Sequence, residues 1–313
     1  MNTRIALLLL LSAATGWAVT EENVNQQFTV TPGGKLVVEV DFGTIDVTVG
    51  SDTELVVQGK RKIESDDKAR ETEYVAAAPI TATQEGSTVT LRARRAKDRS
   101  PWNWSGHMEM DAEYTVRVPK NFNVDLKTHG GAISASGVTG EVVANTSGGN
   151  IALVECAGAL TVSTNGGSID SQNGKGSLNA RTSGGSIAVR DFGGDAQVRT
   201  SGGKLTLENI AGAVSGKTSA GSITVSLADP VPGDVQLQTS AGSIDLTLSE
   251  KAAVSVNAKT GMGSIRTEIP MLATRSRDNR LEGTLNGGGK SILLNASIGS
   301  INIRPNPPPT VAR

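Results

Sequence analysis

One cysteine, Cys156, stands in 313 residues, so no internal disulfide can form and packing alone must hold the chain together in any oxidising compartment it reaches. Aromatic residues make up only 3%. A globular core draws much of its buried area from aromatic rings; a thin stack of Val, Ile and Leu does not need them. His107 and His129 are the only histidines, too few beside a lone cysteine for a zinc site of ordinary composition. The net charge of -1 provides no global field toward any class of partner.

Long apolar runs are also missing. The longest, Ile5 to Leu11, follows Arg4 and precedes small residues ending at Gly16-Trp17-Ala18. It is too short to span a bilayer, and its flanks predict a secretory leader over residues 1–18, cleaved after Ala18. The expected product is exported, soluble, without a transmembrane segment, and either periplasmic or at the cell surface.

What the chain has in excess is glycine, 37 residues without the every-third spacing of collagen. Many belong to the phrase Thr-Ser-Gly-Gly-Ser-Ile. Its threonines are Thr128, Thr146, Thr164, Thr182, Thr200 and Thr218, each 18 residues after the last, then Thr239 and Thr260 at steps of 21. A fixed period of this length marks a repeat architecture.

Aligned at that period, Ile133, Ile151, Ile169, Ile187, Leu205 and Ile223 form an aliphatic column, extended by Ile244 and Ile265. Val124, Val142, Leu160, Leu178, Ala196 and Val214 form a second, with another apolar column two residues later, the spacing of a strand with one buried face. Gly131 through Gly221 and Gly140 through Gly212 give two glycine columns, read as corners in conformations that a Cβ would oppose. Stacked threonines suit a strand ladder and are expected to hydrogen-bond to one another along it. The pattern predicts a β-solenoid of 18- to 21-residue coils, about 40 Å long for eight coils 4.7 to 4.9 Å apart. A row of β-hairpins turning at sites such as Asn165-Gly166-Gly167 is the competing structure, but it gives no reason for a constant period far from the turns.

The remainder is less regular. Residues 19–120 read as a β-rich N-terminal region in which Gly43-Thr44-Ile45-Asp46-Val47 echoes the repeat, with one short helix near 66–78 that opens on Ser-Asp-Asp and stops before Pro79. Residues 121–304 hold the repeats. The stack is expected to end at Ser297-Ile298-Gly299-Ser300-Ile301, before a proline-rich disordered tail at 305–313. The loop from Ala96 to Met110 carries Trp102 and Trp104, which either cap the core or stack on a ligand such as a sugar ring.

The run Tyr114-Thr115-Val116-Arg117-Val118-Pro119, followed by Val124-Asp125-Leu126-Lys127-Thr128 and the repeated Thr-Ser-Gly-Gly-Ser-Ile units, resembles the bacterial putative-adhesin family of β-strand-repeat domains. The resemblance covers residues 28 to 304. It implies a solenoid-like all-β fold and an envelope or surface setting, and it brings no catalytic residues.

Chemistry is hard to find directly. The outward column beside the core isoleucines, Ala152, Asp170, Ala188, Thr206 and Thr224, holds one acid, so it offers no carboxylate pair. Asp46, Asp170 and Asp245 are too scattered for a calcium ladder. Cys156 shares a column with Val138, Phe192 and Ile210 and reads as a small buried hydrophobe. No metal or cofactor is expected. One constellation stands out, the column preceding each threonine: Lys127, Asn145, Ser163, Arg181, Arg199, Lys217, Gln238 and Lys259. Adjacent residues of a strand face opposite ways, so these side chains point outward if the threonines point inward. The candidate ligand-binding residues are therefore Lys127, Arg181, Arg199, Lys217 and Lys259, with Trp102 and Trp104, and the candidate partners are an anionic envelope polysaccharide or another envelope protein, not nucleic acid. The expected function is that of an exported non-enzymatic, adhesin-like or structural interaction module. The alternative is a carbohydrate-active β-helix enzyme, a polysaccharide lyase or hydrolase.

Overall fold

The computed structural model describes residues 20–94 and 108–306. The leader expected at residues 1–18, Trp102, Trp104 and His107, and the expected tail beyond Asn306 lie outside the described residues, while Pro305, expected in that tail, closes the strand Ile301–Pro305. The fold is an all-β solenoid with one helix. Each repeat supplies two short strands, one to each of two facing sheets. Asn123–Lys127 pairs in parallel with Val142–Asn145, and that strand with Ala157–Ser163, always at the same 18-residue offset. These strands lead into the threonines and form what is here termed the threonine sheet. Ile133–Ser136, Ile151–Val154 and Ile169–Gln172 pair in the same way in the opposite, isoleucine sheet. Parallel pairing between successive repeats excludes the row of hairpins. Alternate residues face inward, so Val142, Ala144, Ile151 and Leu153 are buried together with their counterparts in every coil, giving one continuous aliphatic core.

At one corner the phrase Thr-Ser-Gly-Gly carries the chain from the threonine sheet to the isoleucine sheet. The threonines are buried there, and their hydroxyls do not bond to one another as the sequence suggested. Thr182 Oγ1 donates to the Gly167 carbonyl in the previous coil at 2.8 Å and accepts from the Gly185 amide in its own coil at 3.3 Å. Thr146, Thr164 and Thr200 repeat the arrangement. A hydroxyl, being donor and acceptor at once, satisfies a buried amide and a buried carbonyl that would otherwise be left unpaired.

The second glycine of the phrase is required for a different reason from the one expected. Gly185 does not have a left-handed φ; a Cβ there would collide with the carbonyl oxygen of Gly167 one coil below. The opposite corner does use unusual backbone, with Glu155, Asn173, Asp191 and Asn209 at φ between 53° and 55° and Gly176 at +106°. Asn and Asp tolerate that region better than other side chains do, and glycine better still.

The order of coils in space departs from the order in sequence at both ends. Lys35–Val40 lies between Asn123–Lys127 and Thr88–Ala93, so coil 35–49 is an inner coil covered by Thr88–Ala93 on one sheet and Glu113–Val118 on the other. Coil 290–305 likewise lies between coils 235–248 and 254–267. The degenerate repeat around Gly299 therefore does not end the stack; it is inserted before the coil of Thr260, whose hydroxyl bonds to Gly299 O at 2.7 Å. Antiparallel strands close the ends. Glu54–Ser65 and Thr20–Thr29 extend the isoleucine sheet at the first end, Thr81–Glu85 extends the threonine sheet beside them, and Arg280–Leu285 and Leu272–Arg277 extend the threonine sheet at the other.

The helix Lys68–Ala77 starts at the N-cap Asp67, whose side chain accepts from the Ala69 amide, and it covers the first extension. Beneath it Arg61, 0% exposed, is ion-paired to Glu22, donates to Ala78 O at 2.7 Å and lies over the Tyr74 ring. Glu71, also 0% exposed, accepts from Lys68, Thr20 and the Ser65 amide at 2.5 to 2.9 Å. Burial pushes its carboxyl up, but those donors outweigh burial and hold it below the usual carboxylate value.

Two predictions follow from these contacts. Thr182→Val is expected to cost about 1 to 3 kcal/mol in denaturant unfolding by leaving two buried groups unpaired, and Gly185→Ala to cost more, because a backbone carbonyl must move. A Gly185→Ala midpoint equal to that of wild type would show that the corner can relax. For Glu71, a depressed folded-state value means that its stabilising contribution is present above the unfolded value, 4.5, and is lost as pH falls through the folded one. The gap in melting temperature between wild type and Glu71→Gln should thus be widest near pH 7 and close progressively below pH 4.5; a gap independent of pH would refute the assignment.

Candidate functional site

The outer face of the threonine sheet carries three parallel columns of side chains, set by the two-residue period of its strands. Nearest the glycine corner is the column that includes Arg181, Arg199 and Lys217. Next to it run Thr161, Asn179, Gln197, Ser215 and Gln236, and beyond these Ser177, Asp195, Ala213 and Asp234. The latter two columns line a shallow groove of about 640 Å³ that crosses successive coils and reaches Ser291 and Leu293. Amides and hydroxyls along it are donors and acceptors for a polar ligand, but they alternate with carbon and with residues such as Ala213 and Leu293, so the surface of the groove is more apolar than polar.

The cations differ in their surroundings. Lys127 Nζ lies 3.1 Å from Asp125 on its own strand, so its charge is compensated. Asn145 and Ser163 follow it, joined at 2.6 Å by a side-chain hydrogen bond. Arg181, Arg199 and Lys217 come next on consecutive coils, all exposed, and among the described residues none of the three has an ion-pair partner. With strands about 4.8 Å apart, neighbouring charges repel by about 1 kcal/mol in a water-like dielectric. Lys259, which follows Gln238 in the sequence column, is separated from it in space by Asn295 of the inserted coil.

Sequence reasoning located the cationic column and missed the groove beside it. The signal was present: Ser177, Asn179 and Arg181 alternate with core residues, as do Asp195, Gln197 and Arg199. Asp195 and Asp234 are the acids in the groove. They sit on one edge of it, two coils apart, and each commits an oxygen to a backbone amide of the next coil, Asp195 to Ala213 at 2.7 Å and Asp234 to Ser291 at 2.9 Å. Glycosidase carboxylates flank a scissile bond from opposite sides, which two acids on one edge do not.

Other candidates are accounted for by local contacts. Asp170 pairs with Arg190 at 2.9 Å, Asp245 accepts from Asn302 at 2.8 Å, and Asp46 accepts from Ser134, so the scattered aspartates each have a separate partner. Cys156 is 1% exposed, donates to the Ala135 carbonyl, and burial pushes its thiol up. Among the described residues there is no cluster of metal-ligating side chains, and no helix is long and apolar enough to cross a membrane.

The profile of the family described as Toastrack DUF4097 matches residues 35–304. Among solved structures, a putative adhesin from Bacteroides fragilis NCTC 9343 is 14% identical, with 91% of this chain and 97% of that chain covered and a TM-score of 0.42. A putative adhesin from Parabacteroides merdae ATCC 43184 is 12% identical over the same shares, with a TM-score of 0.39. A putative lipid binding protein from Parabacteroides distasonis ATCC 8503 is 11% identical over the same shares, with a TM-score of 0.32. No curated protein matches the chain. At such identities a likeness says nothing of ligands.

Because Asp195 holds the next coil's amide, Asp195→Ala should lower unfolding stability by about 1 to 3 kcal/mol, while Asp195→Asn, which keeps the accepting oxygen, should lose less. Equal stability of wild type and Asp195→Ala in chemical denaturation would remove its structural role.

Proposed function

The chain belongs to the Toastrack DUF4097 family, and from that premise we propose that it is an exported, non-enzymatic, adhesin-like module whose threonine sheet binds an anionic envelope polysaccharide. The observation that carries this reading is the set of three exposed cations without an ion-pair partner among the described residues, Arg181, Arg199 and Lys217, on consecutive coils beside a column of amides and hydroxyls. Their mutual repulsion is relieved by a ligand that brings a negative charge to each coil, which a linear polyanion crossing the strands does better than separate small anions. Amides and hydroxyls in the adjoining column supply hydrogen bonds for a hydroxyl-rich polymer. Nucleic acid fits less well, since the chain has no basic excess and, among the described residues, the columns beside the cations carry no aromatic side chain for base stacking.

The solenoid is a rigid support for such a face, because each outward column is fixed to a continuous core. The leader read at residues 1–18 places the protein outside the cytoplasm in this proposal. The enzyme alternative is disfavoured by the placement of Asp195 and Asp234 along one edge, with an oxygen of each held by backbone.

Binding to immobilised heparin at low ionic strength tests the reading. Substituting Arg181, Arg199 and Lys217 together by Ala is expected to weaken binding roughly tenfold or more, as three exposed charge contacts of about 0.5 to 1 kcal/mol each would, without lowering the melting temperature. Undiminished binding by the triple variant would overturn the proposal.

A further inference from the structure

The cationic column continues past the point where the sequence repeats stop. Across the threonine sheet, Lys217 is followed by Gln238, Asn295 and then Lys259, each directly paired to the next in register. Lys259 in turn faces Arg280 across an antiparallel pair, and Arg280 faces Arg277 in the outermost hairpin. Directly paired residues of neighbouring strands share a face, so these three cations project on the same side as Arg181, Arg199 and Lys217. Lys259 and Arg277 are exposed; Arg280 is half-buried and pairs with Glu282 at 2.5 to 2.8 Å. The row itself carries no carboxylate between Arg181 and Arg277; the acids nearest its far end are Glu282, two residues along from Arg280, and Asp278, in the turn that joins Arg277 to Arg280.

We infer that Lys259, Arg280 and Arg277 form a second anchoring cluster for the same ligand, making the site a two-cluster track for an extended anionic polysaccharide. This rests on the reading above and adds to it a length and a second set of residues. The clusters are separated by the neutral rungs Gln238 and Asn295, a gap of about 14 Å between Lys217 and Lys259, and the whole row from Arg181 to Arg277 spans about 34 Å at strand spacing. The neutral rungs offer amides to sugar hydroxyls where no charge is met. A chain long enough to hold the first cluster and reach Lys259, about 24 Å from Arg181 at strand spacing, binds the second intramolecularly, so affinity should rise in a step at that length rather than in proportion to its charge. Glu282 is the competing anion at the far cluster, and a bound polymer takes its place on Arg280.

Size-fractionated heparin oligosaccharides provide the test, with affinity measured by calorimetry at constant ionic strength. Wild type should show a step of about tenfold or more as oligomers grow from about 24 Å, the reach from Arg181 to Lys259, to about 34 Å, the reach to Arg277. Lys259→Gln with Arg277→Gln should abolish the step and leave the affinity for short oligomers unchanged, while substitution of Arg181, Arg199 and Lys217 should weaken short and long oligomers alike. Charge reversal, Lys259→Glu with Arg277→Glu, serves as the second variant, with its melting temperature compared with wild type. A smooth dependence on length, or a step that survives both far-cluster variants, would overturn the two-cluster track while leaving the first cluster standing. No binding of any oligomer by wild type would instead remove the polyanion reading itself. Single-stranded DNA of equal length and charge binding as tightly as the oligosaccharide would overturn the assignment to a glycan.

Discussion

The hydroxyl of the corner threonine, donating down to one glycine carbonyl and accepting from the next glycine amide, is the contact on which the architecture depends. It links each coil to the one below at a fixed residue, while the glycine beside it lets the two backbones approach too closely for any side chain. With one corner fixed in this way, the two strands that meet there cannot slip relative to their neighbours without burying unpaired groups. Register then follows for every column, inward and outward. The alignment of Arg181, Arg199 and Lys217 on the surface is a consequence of corner threonines whose side chains face the other way and whose amides bond to the carbonyls of these three residues.

Periodic features were legible in the sequence because they obey that register. The aliphatic columns, the two-strand coil and the outward direction of Arg181 all follow from an 18-residue step and the alternation of a strand. The partner of the threonine hydroxyl was not legible, since a column of identical residues suggests bonds among themselves and conceals the nearer glycine carbonyl. Nor was the position of residues 290–305. Ser297-Ile298-Gly299-Ser300-Ile301 looks like a repeat wherever it sits, and periodicity carries no information about which two coils it lies between. The second cationic cluster was hidden for the same reason, because Arg280 and Arg277 come from an antiparallel hairpin outside the period. The groove was half legible: its residues alternate in plain view, but only the register of neighbouring coils makes them a surface.

Parallel stacks end in open edges that invite further strands, and this chain treats its edges individually. Leu272–Arg277 is exposed along its whole length, yet it carries Arg275 and Arg277 and a break in register between Ala273 and Arg275. Charge and irregularity both oppose edge-to-edge addition. At the other end the Gln84 side chain donates to the Thr29 carbonyl and joins the border of one sheet to that of the other. The helix with its buried Arg61 and Glu71 closes the same end, so among the described residues the charged side chains taken fully into the interior lie where the solenoid stops being regular, while the buried threonines run along its regular coils.

The insertion of coil 290–305 between two others gives the two ends of the described chain unlike mechanical characters. Thr20–Thr29 has a neighbour on one side only, so a load applied at Thr20 meets its backbone bonds one after another, as in opening a zipper. Ile301–Pro305 is flanked by Ile244–Leu248 on one side and Ile265–Thr267 on the other, and Asn306 is held to Leu248 and Leu227. A load along that strand must shear two rows of bonds at once. Tension reaching the molecule through its C-terminal side is thus met by simultaneous resistance, and tension through the other side by sequential yielding.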